Sequence, residues 1–236
     1  MKKLLLILLI APLTLLAQGG SAPVLFTTPN NASYFENLIS ENQKFGRVVY
    51  SNDRYNDAVR DVFLFEEDVK YVNVYTKDGK GFKVPNANYN LVSQQLQVQL
   101  EDGKVFSFDT SNIKYFENGG RKYILLPNVP KKLHEVVSNT GKITLLKGFE
   151  LTRKQAMTNP LTNEITEPAK FVKDPIYYIQ TQKNDKLIKL SQKGRKFAKD
   201  FPDHNEEIKE FLDRSRLSVK DEDDLIRIIN YYNTLP

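Results

Sequence analysis

From Phe45 onward, short apolar runs alternate with turn signals at close, fairly regular spacing, the pattern of an antiparallel meander. Val62-Phe63-Leu64-Phe65 and Tyr71-Val72-Asn73-Val74-Tyr75 have the β-branched and aromatic content of strands. Asp78-Gly79 and Asp102-Gly103 are hairpin turns of the kind that tolerates positive φ at both central positions. Between them Leu96, Val98 and Leu100 alternate with Gln95, Gln97 and Gln99, so one face of that strand is buried and the other wet. Val105-Phe106-Ser107-Phe108, Ile113-Lys114-Tyr115-Phe116 and Tyr123 to Leu126 continue the series, the last two joined at Asn118-Gly119-Gly120. A further hairpin pairs His134–Ser138 with Lys142–Leu146 around Asn139-Thr140-Gly141. Residues 152–175 break the rhythm with Pro160, Pro168 and Pro175 and predict a long loop carried by the sheet. A last hairpin, Ile176–Thr181 with Lys186–Leu190, turns at Lys183-Asn184-Asp185.

After Ser191 the apolar period shifts from two to about 3.6. Ser191 caps a predicted helix to about Lys199, and Pro202 ends it. Asp203 with Glu206 makes a capping box for a helix bearing Ile208, Phe211 and Leu212. Ser218 with Asp221 makes another, ahead of the stripe Leu225, Ile228, Ile229 and Tyr232. The expected fold is α+β: an antiparallel β-meander over residues 45–190, as a sheet, sandwich or partly closed barrel, then about three short helices over 191–236 packed on the sheet.

The N-terminus carries an address. Lys2 and Lys3 precede an apolar run, Leu4 to Leu16, and Ala17 supplies the small residue at a cleavage site, so residues 1–17 read as a signal peptide. The run is shorter than the roughly 20 residues a membrane-spanning helix needs. Residues 18–44, rich in Asn, Ser, Pro and Gly, read as a poorly ordered leader. The expected destination is the periplasm or the medium, with peripheral attachment to the outer membrane as a variant, and no transmembrane segment after cleavage. With no cysteine there is neither a lipid attachment point nor a disulfide, so core packing must hold the fold. The formal charge of +5 falls to +3 once the two signal lysines leave, a surplus that favours an anionic partner and argues against nucleic acid.

Candidate chemistry is sparse. The run Asp221-Glu222-Asp223-Asp224 lacks the glycine and terminal glutamate of an EF-hand loop, and acids in a first helical turn serve the macrodipole. His134 and His204 stand in no zinc-binding spacing, and no Gly-x-Ser-x-Gly elbow is present. Glu66, Glu67 and Asp68, or Glu101 and Asp102, supply acids for a carboxylate-pair hydrolase, although turn acids ordinarily serve turn chemistry. Tyr71, Tyr75, Tyr115 and Tyr123 read as cross-strand packing residues. Tyr177-Tyr178 and Tyr231-Tyr232 each put one ring inward and one near the surface, where rings make interaction hot spots. From Lys183 to Lys199 basic residues outnumber acids, which fits either an edge strand guarded by lysine or a patch for an anionic component. The candidate binding residues are therefore Lys189, Lys193, Lys196, Tyr178 and Tyr231, with no catalytic, cofactor or metal residue assigned.

The hairpin from His134 to Lys147 and the tail from Arg216 to Asn233, with its Leu-Ser, Asp-Leu and Tyr-Tyr-Asn pattern, resemble a group of uncharacterised exported proteins of Bacteroidota. The likeness runs from about Phe45 to the end. It implies export and a string of hairpins before a helical segment, and it brings no activity or ligand. The reading that follows is a non-enzymatic cell-envelope module that binds another envelope protein or an anionic surface component. Its alternatives are a glycan- or peptide-directed hydrolase with carboxylates gathered by the fold, and a small-ligand carrier.

Overall fold

The computed structural model describes residues 46–50, 61–65, 70–100, 104–127, 129, 132–182 and 186–236. The strands in chain order are β1 (Gly46–Tyr50), β2 (Tyr71–Thr76), β3 (Gly81–Pro85), β4 (Ala87–Asn90), β5 (Gln95–Gln99), β6 (Lys104–Phe108) and β7 (Ile113–Asn118). They continue as β8 (Arg121–Leu125), β9 (Leu133–Ser138), β10 (Ile143–Lys154), β11 (Met157–Thr158), β12 (Ile165–Glu167), β13 (Lys170–Thr181) and β14 (Leu187–Lys189). The tail holds α1 (Gly194–Phe197), a 3₁₀ turn at Ala198–Asp200, α2 (Asn205–Ser215) and α3 (Glu222–Thr234). The fold is thus the expected α+β arrangement, with two full C-terminal helices after a single helical turn.

An eight-stranded antiparallel sheet runs β14-β13-β10-β9-β8-β7-β2-β3, and a four-stranded one runs β1-β6-β5-β4. Among the described residues the larger sheet ends on two edges and does not close as a barrel. The chain changes sheets between Pro85, which cannot donate to a ladder, and Ala87; Asn86 turns the corner at φ 52°. The β7–β8 hairpin needs positive φ at both turn residues, and Gly119 and Gly120 supply it.

One face of the large sheet carries two covers. Over β2, β7 and β8 the four-stranded sheet packs Ala87, Tyr89, Leu96, Val98 and Phe106 onto Val72, Val74, Phe116 and Tyr123. Over β10 and β13 the helices pack Phe197, Ile208, Leu225 and Ile228 onto Ile143, Leu145 and Ile179. Each such side chain, fully withdrawn from water, contributes roughly 1.5–3 kcal/mol. Direct cross-strand partners share a face, so one row runs Phe82–Val74–Phe116–Tyr123–Glu135–Lys147–Tyr177. The row is apolar beneath the small sheet and charged between the two covers.

Several local expectations take a different form. Val62–Phe65 is no strand: only Phe63 bridges Asn90, because the Asn88 side chain binds both the N–H and the C=O of Phe65. Residues 152–175 are mostly ribbon, since β10 and β13 pair from Ile143–Thr181 to Lys154–Lys170 and carry β11–β12 beyond. Ribbon edges tolerate Pro168 and Pro175, and Pro160 falls in the tip turn. Ser191 accepts from the Lys193 N–H and caps no helix. Asp203 does not cap α2, which begins at His204 with φ 56°, and its carboxylate accepts from the Tyr232 hydroxyl. The α3 cap is Asp221, which accepts from the Asp224 N–H at 3.0 Å, with Glu222, Asp223 and Asp224 in the first turn. The signal, the leader, residues 66–68 and 101–103, and the turn at 183–185 lie outside the described residues. Among the described residues, no helix is long and apolar enough to cross a membrane.

Candidate binding surface

Where the two covers leave the sheet bare, a cleft of about 560 Å³ is lined by Phe65, Arg121, Tyr123, Glu135, Lys147 and Phe149 among others. Glu135 and Lys147, partners across β9 and β10, are buried to 4% and 9% exposure. Lys147 Nζ donates to Glu222 Oε2 at 2.7 Å and stands 3.3 Å from Glu135 Oε2. Arg121 approaches the other Glu135 oxygen at 3.3 Å, and the Tyr177 hydroxyl donates to Glu222 Oε2 at 2.8 Å. Burial pulls the Glu222 pKa upward. Hydrogen bonds from Lys147 and Tyr177, with the Lys147 and Arg121 charges, overcome this and hold the carboxyl below its ordinary 4.5. A glycosidic general acid needs the reverse. An ammonium between the two carboxylates makes this group an electrostatic clamp that ties the start of α3 to the sheet. Among the described residues no cluster of three or more His, Asp or Glu could hold a metal.

The opposite, outer face of the large sheet has a different chemistry. Register puts Lys83, Asn73 and Glu117 side by side across β3, β2 and β7, with Lys122 beyond on β8. Tyr75 and Tyr115, direct partners, stack at 4.4 Å with planes 24° apart. Lys83 Nζ sits 3.7 Å over the Tyr71 ring and Lys122 Nζ 4.2 Å over Tyr115, both within cation–π range. Tyr75 donates to Glu117 Oε2 at 3.3 Å. Partial burial, then the Glu117 and Tyr115 charges, push the Tyr75 phenol up to about 12. Tyr115 is raised by the same kind of environment, so both rings remain neutral donors at ordinary pH. Tyr71 is 44% exposed and Lys122 exposed, while Tyr75, Tyr115 and Lys83 are half-buried, so this half of the face is partly open to solvent. Over β9 and β10 the same face is closed: His134 and Leu146 are 1% and 0% exposed.

The five residues singled out from sequence are divided by the fold. Lys189 lies exposed on the edge strand β14 opposite Tyr178, and the half-buried Tyr178 ring meets His134 edge-on at 5.2 Å. These two belong to the outer face, at its far end. Lys193, just before α1, and Lys196, on it, are exposed. Tyr231 stacks on Phe211 at 4.0 Å and 11°, packing α3 against α2. Tyr71, Tyr75 and Tyr115, read as packing residues, form the open surface, whereas Tyr123 is buried in the core. Their period-two spacing was visible; which face would be covered was not.

What the geometry defines is an α+β module with an open aromatic and basic sheet face. Compared with models of protein families, curated proteins and solved structures, the chain matches none.

Proposed function

We propose that the chain is a non-enzymatic cell-envelope protein that binds an anionic surface component, an acidic glycan, on the open half of its outer sheet face. The observation that carries this is the stacked Tyr75–Tyr115 pair with Lys83 and Lys122 set over neighbouring rings on one flat surface. Tyrosine hydroxyls at the ring edges hydrogen-bond sugar hydroxyls, and the lysines held over the rings neutralise acidic substituents. By register the open half carries Lys83 and Lys122 against Glu117, so its charge favours an anion, while Glu150 and Asp174 share the far end of the face with Lys189. The signal-like Lys2-Lys3 and Leu4–Leu16 support a place in the envelope.

The test is calorimetry and affinity electrophoresis of the mature protein against a polyuronate and a neutral glucan of equal length. The polyuronate binds, more weakly as salt rises, and Tyr115→Ala and Lys122→Glu each lower affinity about tenfold without altering the circular dichroism. Lys189→Glu has a smaller effect because it lies at the far end of the face. Equal treatment of the two polymers overturns the proposal. So does a salt-resistant, stoichiometric protein partner from solubilised envelopes that competes for the same face.

A further inference from the structure

The outer part of the β10–β13 ribbon is an arm without a core. Every residue from Thr152 to Glu167 is exposed except the half-buried Asn159. At about 3.3 Å per residue, Thr152 to Leu161 carries the tip roughly 30 Å out. Three of the six exposed large hydrophobic residues among those described stand here: Met157 at 59%, Leu161 at 91% and Ile165 at 67%. A two-stranded ribbon is at best marginally stable alone in water, and one that exposes its apolar residues presents a surface for burial. The tip is also acidic. From Met157 to Glu167 it holds Glu164 and Glu167 and no base, with Arg153, Lys154 and Lys170 set back toward the sheet. Glu167 meets only Lys170, at 3.7 Å with both side chains exposed, a weak pairing in water.

A groove of about 650 Å³ opens between α1, α2 and the loop before α3. Ala198, Leu212, Leu217 and Val219 form its floor, the last two half-buried and within reach. Lys199, Lys209 and Lys220 stand around it with Glu206 and Asp213. Lys209 is taken by Glu206 at 3.4 Å, which leaves the rim with a surplus cation. Exposed Lys193, just before α1, and Lys196, on it, add to that potential. The unbroken pairing of β10 with β13 from Ile143–Thr181 to Lys154–Lys170 points the tip away from the helices, which pack at the other end. The tip and the groove of one chain therefore face different ways.

We infer that the groove receives the arm tip of a second copy of this chain, with Leu161 seated on Leu212, Leu217 and Val219 and Glu164 and Glu167 set against Lys199 and Lys220. This gives the basic stretch around α1 an acidic protein partner and leaves the outer sheet face free.

Sedimentation velocity of the mature chain, from low to high micromolar concentration, tests it. A species heavier than the monomer grows with concentration and weakens with salt. Leu161→Asp, at a side chain that touches almost nothing in the isolated chain, and the pair Lys199→Glu with Lys220→Glu, each raise the dissociation constant about tenfold or more. Adding Glu164→Lys and Glu167→Lys to the lysine reversals restores association, which a merely damaged fold would not do. A single monomeric species across the range overturns the inference, and so does an oligomer indifferent to all of these changes.

Discussion

Lys147→Met probes the clamp beneath the cleft. Methionine keeps the buried stem and removes the ammonium that stands 2.7 Å from Glu222 and 3.3 Å from Glu135. Glu135 is then left 4% exposed, with one remaining cation, the guanidinium of a 60% exposed Arg121 side chain. Breaking a buried ion pair from one side costs about 3–5 kcal/mol. Glu222, whose side chain is 32% exposed, keeps the Tyr177 hydrogen bond and can turn toward water, so the lower end applies. The expected loss is about 3 kcal/mol, a large part of the roughly 5–15 kcal/mol that holds an ordinary domain folded. Removing both charges behaves differently, because desolvation disappears along with the attraction. Lys147→Met with Glu135→Gln should cost no more than about 1 kcal/mol, about 2 kcal/mol less than the single change.

Urea unfolding followed by tyrosine fluorescence and far-ultraviolet circular dichroism measures this directly, since the chain has 12 tyrosines and no tryptophan. The comparison holds where the urea slope is unchanged among variants. A loss below about 1 kcal/mol for Lys147→Met would refute the reasoning, and so would a double variant no more stable than the single one. A small loss would mean that water reaches Glu135, and a double variant no more stable than the single one would mean that the cost does not come from a stranded carboxylate.

Acid should destabilise the fold in two stages. Burial lowers the His134 pKa against the weaker opposing effect of the Lys132 carbonyl, so its share of stability is complete above the ordinary 6.5 and falls as pH drops below it. Glu222, held below its ordinary 4.5, contributes fully above that value and loses its share as pH falls further through the folded pKa. Urea midpoints between pH 8 and 3 should show both descents, and His134→Gln should remove the upper one; a flat wild-type profile through pH 6.5 contradicts the first assignment. Tyr89→Phe should raise stability by about 1 kcal/mol, because the Tyr89 hydroxyl is fully buried and without a hydrogen-bond partner. Any loss of urea resistance in that variant counts against it.

Much of this fold is legible along the chain because its strands are local events. Alternation at Leu96 and Val98 reports a half-buried strand, Asn118-Gly119-Gly120 reports a two-residue turn, and the stripe Leu225, Ile228, Ile229 and Tyr232 reports a helix with one buried side. Contacts between distant segments are not written in those periods. Val62–Phe65 has the composition of a strand, yet the Asn88 amide captures its backbone from 23 residues away. The partnership of Glu135, Lys147 and Glu222 depends on register across β9 and β10 and on where α3 lands. Period-two spacing shows that Tyr71, Asn73 and Tyr75 share a side of β2 but cannot say which side the rest of the chain covers. Here the small sheet and the tail helices both pack on the side of Val74 and Tyr177, which leaves Lys122 exposed and Tyr75, Tyr115 and Lys83 half-buried on the other side. Covering one face twice is what leaves tyrosines with the spacing of packing residues on a partly open face. A surface of that origin leaves no motif, because its rings and lysines come from β2, β3, β7 and β8 and only the register brings them together.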